Sequence, residues 1–131
     1  METPRLTATS ITIGTSQPLR LAAFYSRLLG LPVTAEEPPR STEHPDAGWA
    51  QIRPPEGPTL NFEYERHYVK PVWPTEPGGQ NPTQHLDIHT PDLDTAVEWA
   101  VAQGARLAEF QPQDDVRVLV DPDGHPFCLF S

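Results

Sequence analysis

The chain has 131 residues, of which 37% are hydrophobic and 21% are charged, a balance typical of a folded globular protein. Its formal net charge of −9 disfavours phosphate backbones and anionic membrane surfaces, so neither nucleic acid nor membrane is expected as a partner. No apolar run approaches the roughly 20 residues that span a bilayer, and the N-terminal residues lack the apolar core of a signal peptide. Cys128 is the only cysteine, which excludes an internal disulfide and makes a reducing cytoplasm the expected compartment.

The first half of the chain predicts one strand, one helix and three further strands. Pro18 is suited to the first turn of the helix, apolar residues follow at helical spacing, and Gly30 is placed to end it in a left-handed turn. Apolar and polar residues alternate through residues 59–65, which is the period of a half-buried strand. The other predicted strands are residues 6–13, 31–36 and 48–53.

The pattern breaks at a linking loop of about residues 67–83, which contains four prolines and a pair of glycines. So long a stretch without periodicity indicates either a linker or a functional loop. Trp73 argues against a purely solvated linker, because an exposed indole usually packs on something. Tyr68 and Trp73 are therefore candidate ligand-contacting residues.

The second half repeats the first at an offset of about 75 residues. It predicts strands at residues 84–89, 105–110, 116–120 and 126–130, with a helix after the first of them. Thr90 or Asp92 is the predicted helix cap, and Gly104 ends the helix as Gly30 does in the first half. Such a repeat predicts an α+β fold of two tandem βαβββ modules sharing one interior. The expected single domain, 1–131, divides into module one (about 5–66), the loop and module two (about 84–131).

Three segments of this repeat resemble the vicinal oxygen chelate superfamily, which includes glyoxalase I, extradiol dioxygenases and bleomycin-resistance proteins. Residues 18–31 look like the first helix of that superfamily, residues 85–94 like the start of its second module, and residues 121–129 like its closing turn and strand. The chain looks closest to the small glyoxalase-like proteins. The resemblance implies a curled eight-stranded cup around one small-molecule cavity, and homodimers in which the neighbouring subunit completes each cavity.

Metal-dependent members of the superfamily carry His, Glu or Gln at four positions facing the cup. Carried over, these positions fall on Ser10, on Asn61 or Glu63, on His85 and on Cys128, and of these His85 matches the usual ligand. Glu63, His85 and Cys128 form the candidate metal set, for zinc, iron, nickel or manganese. Because Ser10 and Cys128 break the four-ligand set, the sequence assigns no cofactor, and Cys128 also fits a small buried residue of a core strand.

Three functions are compatible with this resemblance. The first is a lyase or isomerase in which Glu63 and His85 act as acid and base without a metal. The second is a protein that binds and sequesters a natural product, as bleomycin-resistance proteins do. The third is a metal-dependent glyoxalase or dioxygenase.

The remaining candidate residues are contacts for a ligand rather than catalytic groups. Aromatic residues near the rim suit a flat or apolar ligand, and polar residues on the cup-facing strands would orient it. The predicted ligand contacts are Ser10, Trp49, Asn61, Tyr68, Trp73 and Cys128. The histidines in or beside loops, His44, His67 and His125, are expected to face solvent.

Overall fold

The computed structural model describes all 131 residues and contains two helices and eight strands. The predicted α+β class and its two βαβββ modules are confirmed. Neither helix combines the length and the hydropathy needed to cross a membrane. Module one consists of β1 (Ser10–Thr15), α1 (Pro18–Leu29), β2 (Ala35–Glu37), β3 (Trp49–Ile52) and β4 (Thr59–Tyr64). Module two consists of β5 (Asp87–His89), α2 (Leu93–Gln103), β6 (Arg106–Leu107), β7 (Val116–Val120) and β8 (Pro126–Phe130).

Each module forms one curled, four-stranded mixed sheet, and the two sheets have the same topology. Their strand orders are β1-β4-β3-β2 and β5-β8-β7-β6. The first and last strands of each module pair in parallel, and the remaining neighbours pair antiparallel. This arrangement makes β1 and β2 the edge strands of the first sheet and β5 and β6 those of the second. Each edge strand has one row of backbone groups that no other strand of the chain pairs.

The helices begin and end at the residues that local chemistry favours. α1 starts at Pro18 and ends before Gly30, whose φ of 67° is the left-handed conformation that glycine adopts without strain. At α2 the cap is Asp92 rather than Thr90, because the Asp92 carboxylate accepts a hydrogen bond from the Thr95 amide at 3.2 Å. The hydrogen bonds that Thr95 donates to it also lower the pKa of Asp92.

One hydrophobic core joins the two modules. Phe24 and Tyr25 of α1 are fully buried, and the ring of Tyr25 stacks on Phe62 of β4 at a centroid distance of 5.7 Å. On its other side Tyr25 contacts Phe127 of β8, at 6.0 Å, and Phe24 reaches the same ring at 6.2 Å. α1 therefore packs against both sheets, and neither module buries its apolar face without the other.

Six of the eight strands are shorter than predicted, and the cause is visible for two of them, β1 and β5. β1 begins at Ser10 because its partner β4 begins at Thr59, so residues 6–9 have no strand to pair with. Pro126 carries no backbone N–H, which limits the pairing of β5 before Asp87. β6 keeps only two paired residues, Arg106 and Leu107.

Candidate functional site

A group of metal-binding side chains lies on the helix-free face of the second sheet. Cys128 stands between Phe127 and Leu129, whose side chains are buried in the core, so the alternation of β8 directs its thiol to the opposite face. Asp87 of β5 pairs with Cys128 in the register of the sheet, and His85 lies two residues before Asp87. Ligand atoms of His85, Asp87 and Cys128 all lie within 4.8 Å of one another. Adjacent parallel strands thus gather an imidazole, a carboxylate and a thiol.

The chemistry of this donor set fits a divalent metal of the zinc type. His85 Nε2 lies 3.1 Å from Asp87 Oδ1. Two such ligands on a tetrahedral zinc ion stand about 3.3 Å apart, given bonds of about 2.0–2.1 Å, so little movement would be needed. A thiolate with an imidazole suits zinc better than manganese, which prefers oxygen ligands. Burial, then the negative charge of Asp87 and a hydrogen bond to it, raise the pKa of the Cys128 thiol, so binding would displace a proton.

A cavity of about 850 Å³ lies between the two modules, and His85 forms part of its wall. Four consecutive residues of β1, residues 11–14, line the cavity, which therefore runs along the free edge of that strand. The linking loop and the approach to β5 supply most of the remaining wall, including the amide side chains of Gln80, Asn81 and Gln84. Glu65 is the only carboxylate on the wall, and no lysine or arginine lies there. The cavity therefore favours neutral or cationic molecules that form hydrogen bonds.

His125 and Tyr25 close one side of this cavity through a buried carboxylate. His125 Nδ1 lies 2.9 Å from Asp121 Oδ2, and His125 Nε2 lies 2.8 Å from the carbonyl oxygen of Gly14. Tyr25 donates its hydroxyl proton to the same Asp121 oxygen at 2.8 Å. A carbonyl and an ionised carboxylate only accept hydrogen bonds, so both contacts are satisfied when both ring nitrogens of His125 carry protons and the ring is an imidazolium. Burial opposes that charge, but the hydrogen bond to Asp121 and its negative charge raise the pKa of His125 above its ordinary value.

The neighbouring carboxylate, Asp123, ties the same turn to module one. It accepts hydrogen bonds from the Ser16 amide at 2.8 Å, from the Ser16 hydroxyl at 2.7 Å and from the Thr15 hydroxyl. Tyr68 of the linking loop donates to the Asp123 carbonyl oxygen at 2.6 Å. The turn between β7 and β8 is thus held against the end of β1 and against the loop, which fixes the relative position of the cavity walls.

The predicted site residues of module one lie apart from this group. The Asn61 amide lies on the helix-free face of the first sheet. Its oxygen accepts a hydrogen bond from the Gln51 side chain at 2.9 Å, and its nitrogen donates one to the Thr12 hydroxyl at 3.4 Å. Glu63 and Trp49 line a separate surface depression. Ser10 is exposed, with its hydroxyl 3.2 Å from that of its neighbour Thr9. Within one chain, the structure brings together His85 and Cys128 but not Glu63 or Ser10.

The two aromatic residues predicted from the linking loop lie in different places. Tyr68 lines the main cavity, with its ring 5.3 Å from that of His125. Trp73 lines a smaller cavity on another side of the loop and packs against Phe110 at 6.4 Å. Their roles as ligand contacts stay predictions.

Three residues of the site were not anticipated from the sequence. The expectation that His125 faces solvent is wrong: its side chain is 18% exposed, because its ring contacts Gly14, 111 positions earlier, as well as Asp121 of its own turn. Asp87 has a visible signal, since it lies two residues after His85 and shares its strand face. Glu65, on the cavity wall, shares the strand face of Glu63 and lies one alternation further along.

Comparisons with known proteins agree with the fold. The sequence profile of the "Glyoxalase-like domain" matches residues 10–130. A glyoxalase family protein from Enterococcus faecalis superposes with a TM-score of 0.66 at 18% identity, over 93% of this chain and 94% of that one. A glyoxalase/bleomycin resistance protein/dioxygenase family enzyme from Burkholderia phytofirmans gives 0.62 at 16% identity, over 95% and 97%.

A third relative is the genomically encoded fosfomycin resistance protein FosX from Listeria monocytogenes, a mutant of which was solved in complex with Mn(II) and 1S,2S-dihydroxypropylphosphonic acid. It superposes with a TM-score of 0.65 at 13% identity, over 93% of this chain and 86% of that one. No curated protein sequence matches this chain significantly.

The chain has two curled βαβββ modules and a histidine, His85, just before the first strand of the second module. These features define a protein of the vicinal oxygen chelate fold. Within that class, the chain belongs to the glyoxalase-like family, whose profile covers all but its first nine residues and its last.

Proposed function

We propose that this protein binds a small polar molecule in the cavity between its modules and acts on it with a divalent metal held by His85, Asp87 and Cys128. The observation that carries the proposal is the gathering of three different donor groups within 4.8 Å, one of which also lines the cavity. A metal bound there with an open coordination position would polarise an oxygen atom of the molecule. Zinc is the metal that the thiolate and imidazole favour.

The residues of the chain would orient the molecule and handle its protons. Gln80 and Gln84 offer side-chain hydrogen bonds along one wall, whereas the Asn81 amide is already bonded to the backbone of Glu76. Glu65 and His67 contribute titratable groups where the chain leaves β4 and enters the loop. Glu65 forms no salt bridge within the chain, and such a carboxylate is suited to accept a proton from a molecule bound beside it. The proposed chemistry is therefore proton transfer next to a polarised oxygen, as in an isomerase or a lyase.

Metal content tests this proposal directly. The untagged protein, loaded by dialysis against zinc and then against buffer, is expected to retain about one zinc per chain. His85→Ala, Asp87→Asn and Cys128→Ser should each lose most of it, and His89→Ala serves as the matched control because it removes a histidine of the same strand outside the group. Equal retention by wild type and Cys128→Ser, or no retention by the wild type, would exclude this site.

A binding-only protein is the second function that the geometry supports. The observation favouring it is that the cavity wall is rich in amides and carries no lysine or arginine, and that its charged histidine, His125, is already paired with Asp121. Such a wall suits sequestration of a cationic natural product without chemistry. A binding protein would protect its ligand stoichiometrically, and an enzyme would consume it. Mass spectrometry of a candidate molecule after incubation with substoichiometric protein separates the two functions.

The acid–base pair of Glu63 and His85 stays a prediction. In a single chain the two side chains line different cavities, so joint action would need a second subunit or a rearrangement. Replacing Glu63 and Glu65 one at a time by glutamine distinguishes the two carboxylates. Loss of turnover with Glu65→Gln alone supports the cavity described above, and loss with Glu63→Gln alone supports the pair of Glu63 and His85.

We further propose that the protein forms a homodimer through its edge strands. β1 and β5 each have an unpaired edge, and natural proteins rarely leave such an edge accessible. The exposed Ile11 of β1 lies on the wall of the main cavity, so a second copy covering that edge would also close the cavity.

A further inference from the structure

A second cavity, of about 300 Å³, lies at the junction of the linking loop with module two. It is lined by residues from the loop, from the connection between α2 and β6, and from the turn between β7 and β8. None of the candidate metal donors reaches it. It shares Pro71 with the main cavity, so the loop separates the two.

Two unpaired cations face this cavity. The chain has nine lysines and arginines against 18 acidic residues, and Lys70 is its only lysine. Lys70 and Arg106 both line the cavity, and neither forms a salt bridge within the chain. The alkyl stem of Lys70 lies over Gly124, where a Cβ atom would come within 3.0–3.2 Å of it. In so acidic a protein, two cations that line one cavity without salt-bridge partners form a positive site.

The lining of this cavity also includes a residue with a buried hydrogen-bond donor. Trp73 lines the same cavity, and its indole Nε1 is the one buried side-chain nitrogen or oxygen of the chain that has no hydrogen-bond partner. Leaving such a donor unsatisfied costs free energy, and a bound acceptor would recover it. The indole of Trp99, by contrast, donates to the Leu28 carbonyl oxygen at 3.0 Å.

The one acidic residue on the wall does not neutralise the site. The side chain of Asp121 is fully buried, and its oxygens already accept hydrogen bonds from Tyr25 and from the ring and amide of His125. Because the imidazolium of His125 balances its charge, Lys70 and Arg106 remain available to another anion.

We infer that this cavity binds a tetrahedral oxyanion, such as phosphate or the phosphate group of a small monoester. Lys70 and Arg106 supply the positive charge, and Trp73 donates a hydrogen bond from its indole nitrogen. A guanidinium, an ammonium and an N–H group together offer donors to three oxygens of one phosphate. The inference is independent of the metal proposal, because the two sites share no residue.

Nuclear magnetic resonance of the three indole N–H groups provides the test. Titration with inorganic phosphate at constant ionic strength is expected to shift the Trp73 resonance saturably and to leave those of Trp49 and Trp99 in place. The Trp73 resonance is assigned as the one missing from Trp73→Phe. Acetate and chloride titrations show whether the site requires a tetrahedral anion.

Substitutions distinguish phosphate binding in this cavity from nonspecific attraction of phosphate to positive charge. Lys70→Gln and Arg106→Gln should each weaken phosphate binding about tenfold, since each removes a charged hydrogen-bond donor. Arg53→Gln is the matched control, because Arg53 is exposed in module one and outside the cavity. No Trp73 shift, the same shift with chloride, or equal weakening by Arg53→Gln would overturn the inference. His85→Ala removes a proposed metal ligand and should retain phosphate binding, which tests the anion site independently of the proposed metal site.

Discussion

His125 lies 2.9 Å from a carboxylate oxygen of Asp121, whose side chain is completely buried. The second ring nitrogen of His125 faces the carbonyl oxygen of Gly14 in the other module. One imidazolium therefore balances a buried charge and joins the two modules at the cavity.

Replacing His125 by alanine should lower the free energy of unfolding by about 3 kcal/mol at acidic pH, because it leaves the Asp121 carboxylate buried and unpaired. The folded state raises the pKa of His125, so its stabilisation is complete below about pH 6.5, the value in an unfolded chain, and is lost as the pH rises through the raised pKa. Urea unfolding of both proteins across this range measures the difference.

The exposed His67 provides the control for that experiment. His67→Ala should change the free energy of unfolding by no more than about 0.5 kcal/mol. A difference between wild type and His125→Ala that grows with pH would contradict the charged state. The ¹⁵N shifts of the two ring nitrogens report directly whether both carry protons.

The fold was predictable because its signals are local, whereas much of the site depends on distant contacts. The order of the elements and the helix-ending Gly30 and Gly104 identified the duplicated module, and the alternation in residues 59–65 identified a strand. Nothing near His125 indicates that Gly14, 111 positions earlier, will accept a hydrogen bond from its ring. Residues in tight turns are usually exposed, and His125 is covered only because the two modules pack together.

The same distinction between local signals and distant contacts explains which residues of the metal-binding group could be predicted. Asp87 could have been identified from its spacing to His85, since alternate residues of a strand share a face. The separation of Glu63 from His85 depends on how the two sheets are placed, which strand patterns do not specify.

Zinc binding should weaken as the pH falls, because the metal must displace the proton of the Cys128 thiol, whose pKa is raised by burial and by Asp87. Each pH unit below that pKa is expected to reduce the affinity about tenfold, the linkage for one released proton. Competition with a chromogenic zinc indicator between about pH 6 and about pH 8 measures this slope. In Cys128→Ser the affinity should be lower and this thiol-dependent part of the slope absent. An unchanged slope in the variant would mean that another group releases the proton.

The shared core predicts that the two modules unfold together. Phe127→Ala removes a fully buried ring that contacts both Phe24 and Tyr25, and should cost about 3–5 kcal/mol. Two parent proteins are made that each retain a single tryptophan, Trp49 in module one or Trp99 in module two. Fluorescence then follows the unfolding of each module separately. Both reporters should give one transition in the parent protein, shifted equally by Phe127→Ala.

A matched control for this core substitution is Phe110→Ala, because Phe110 is 52% exposed. It should cost much less than Phe127→Ala. Two separate transitions, with only the Trp99 reporter shifted by Phe127→Ala, would show that the modules fold independently.

The proposed dimer makes the free edge of β1 sensitive to charge. Ile11 is 37% exposed on that edge, and a charged side chain there would have to be desolvated if another strand covered it. Ile11→Lys is therefore expected to convert a dimer to a monomer in light scattering coupled to size exclusion. Leu107→Lys is the control, since Leu107 is 43% exposed on β6, the edge of the second sheet that lies farthest from β5. If Leu107→Lys rather than Ile11→Lys gave the monomer, the subunits would meet through β6, and the main cavity would remain open in the dimer.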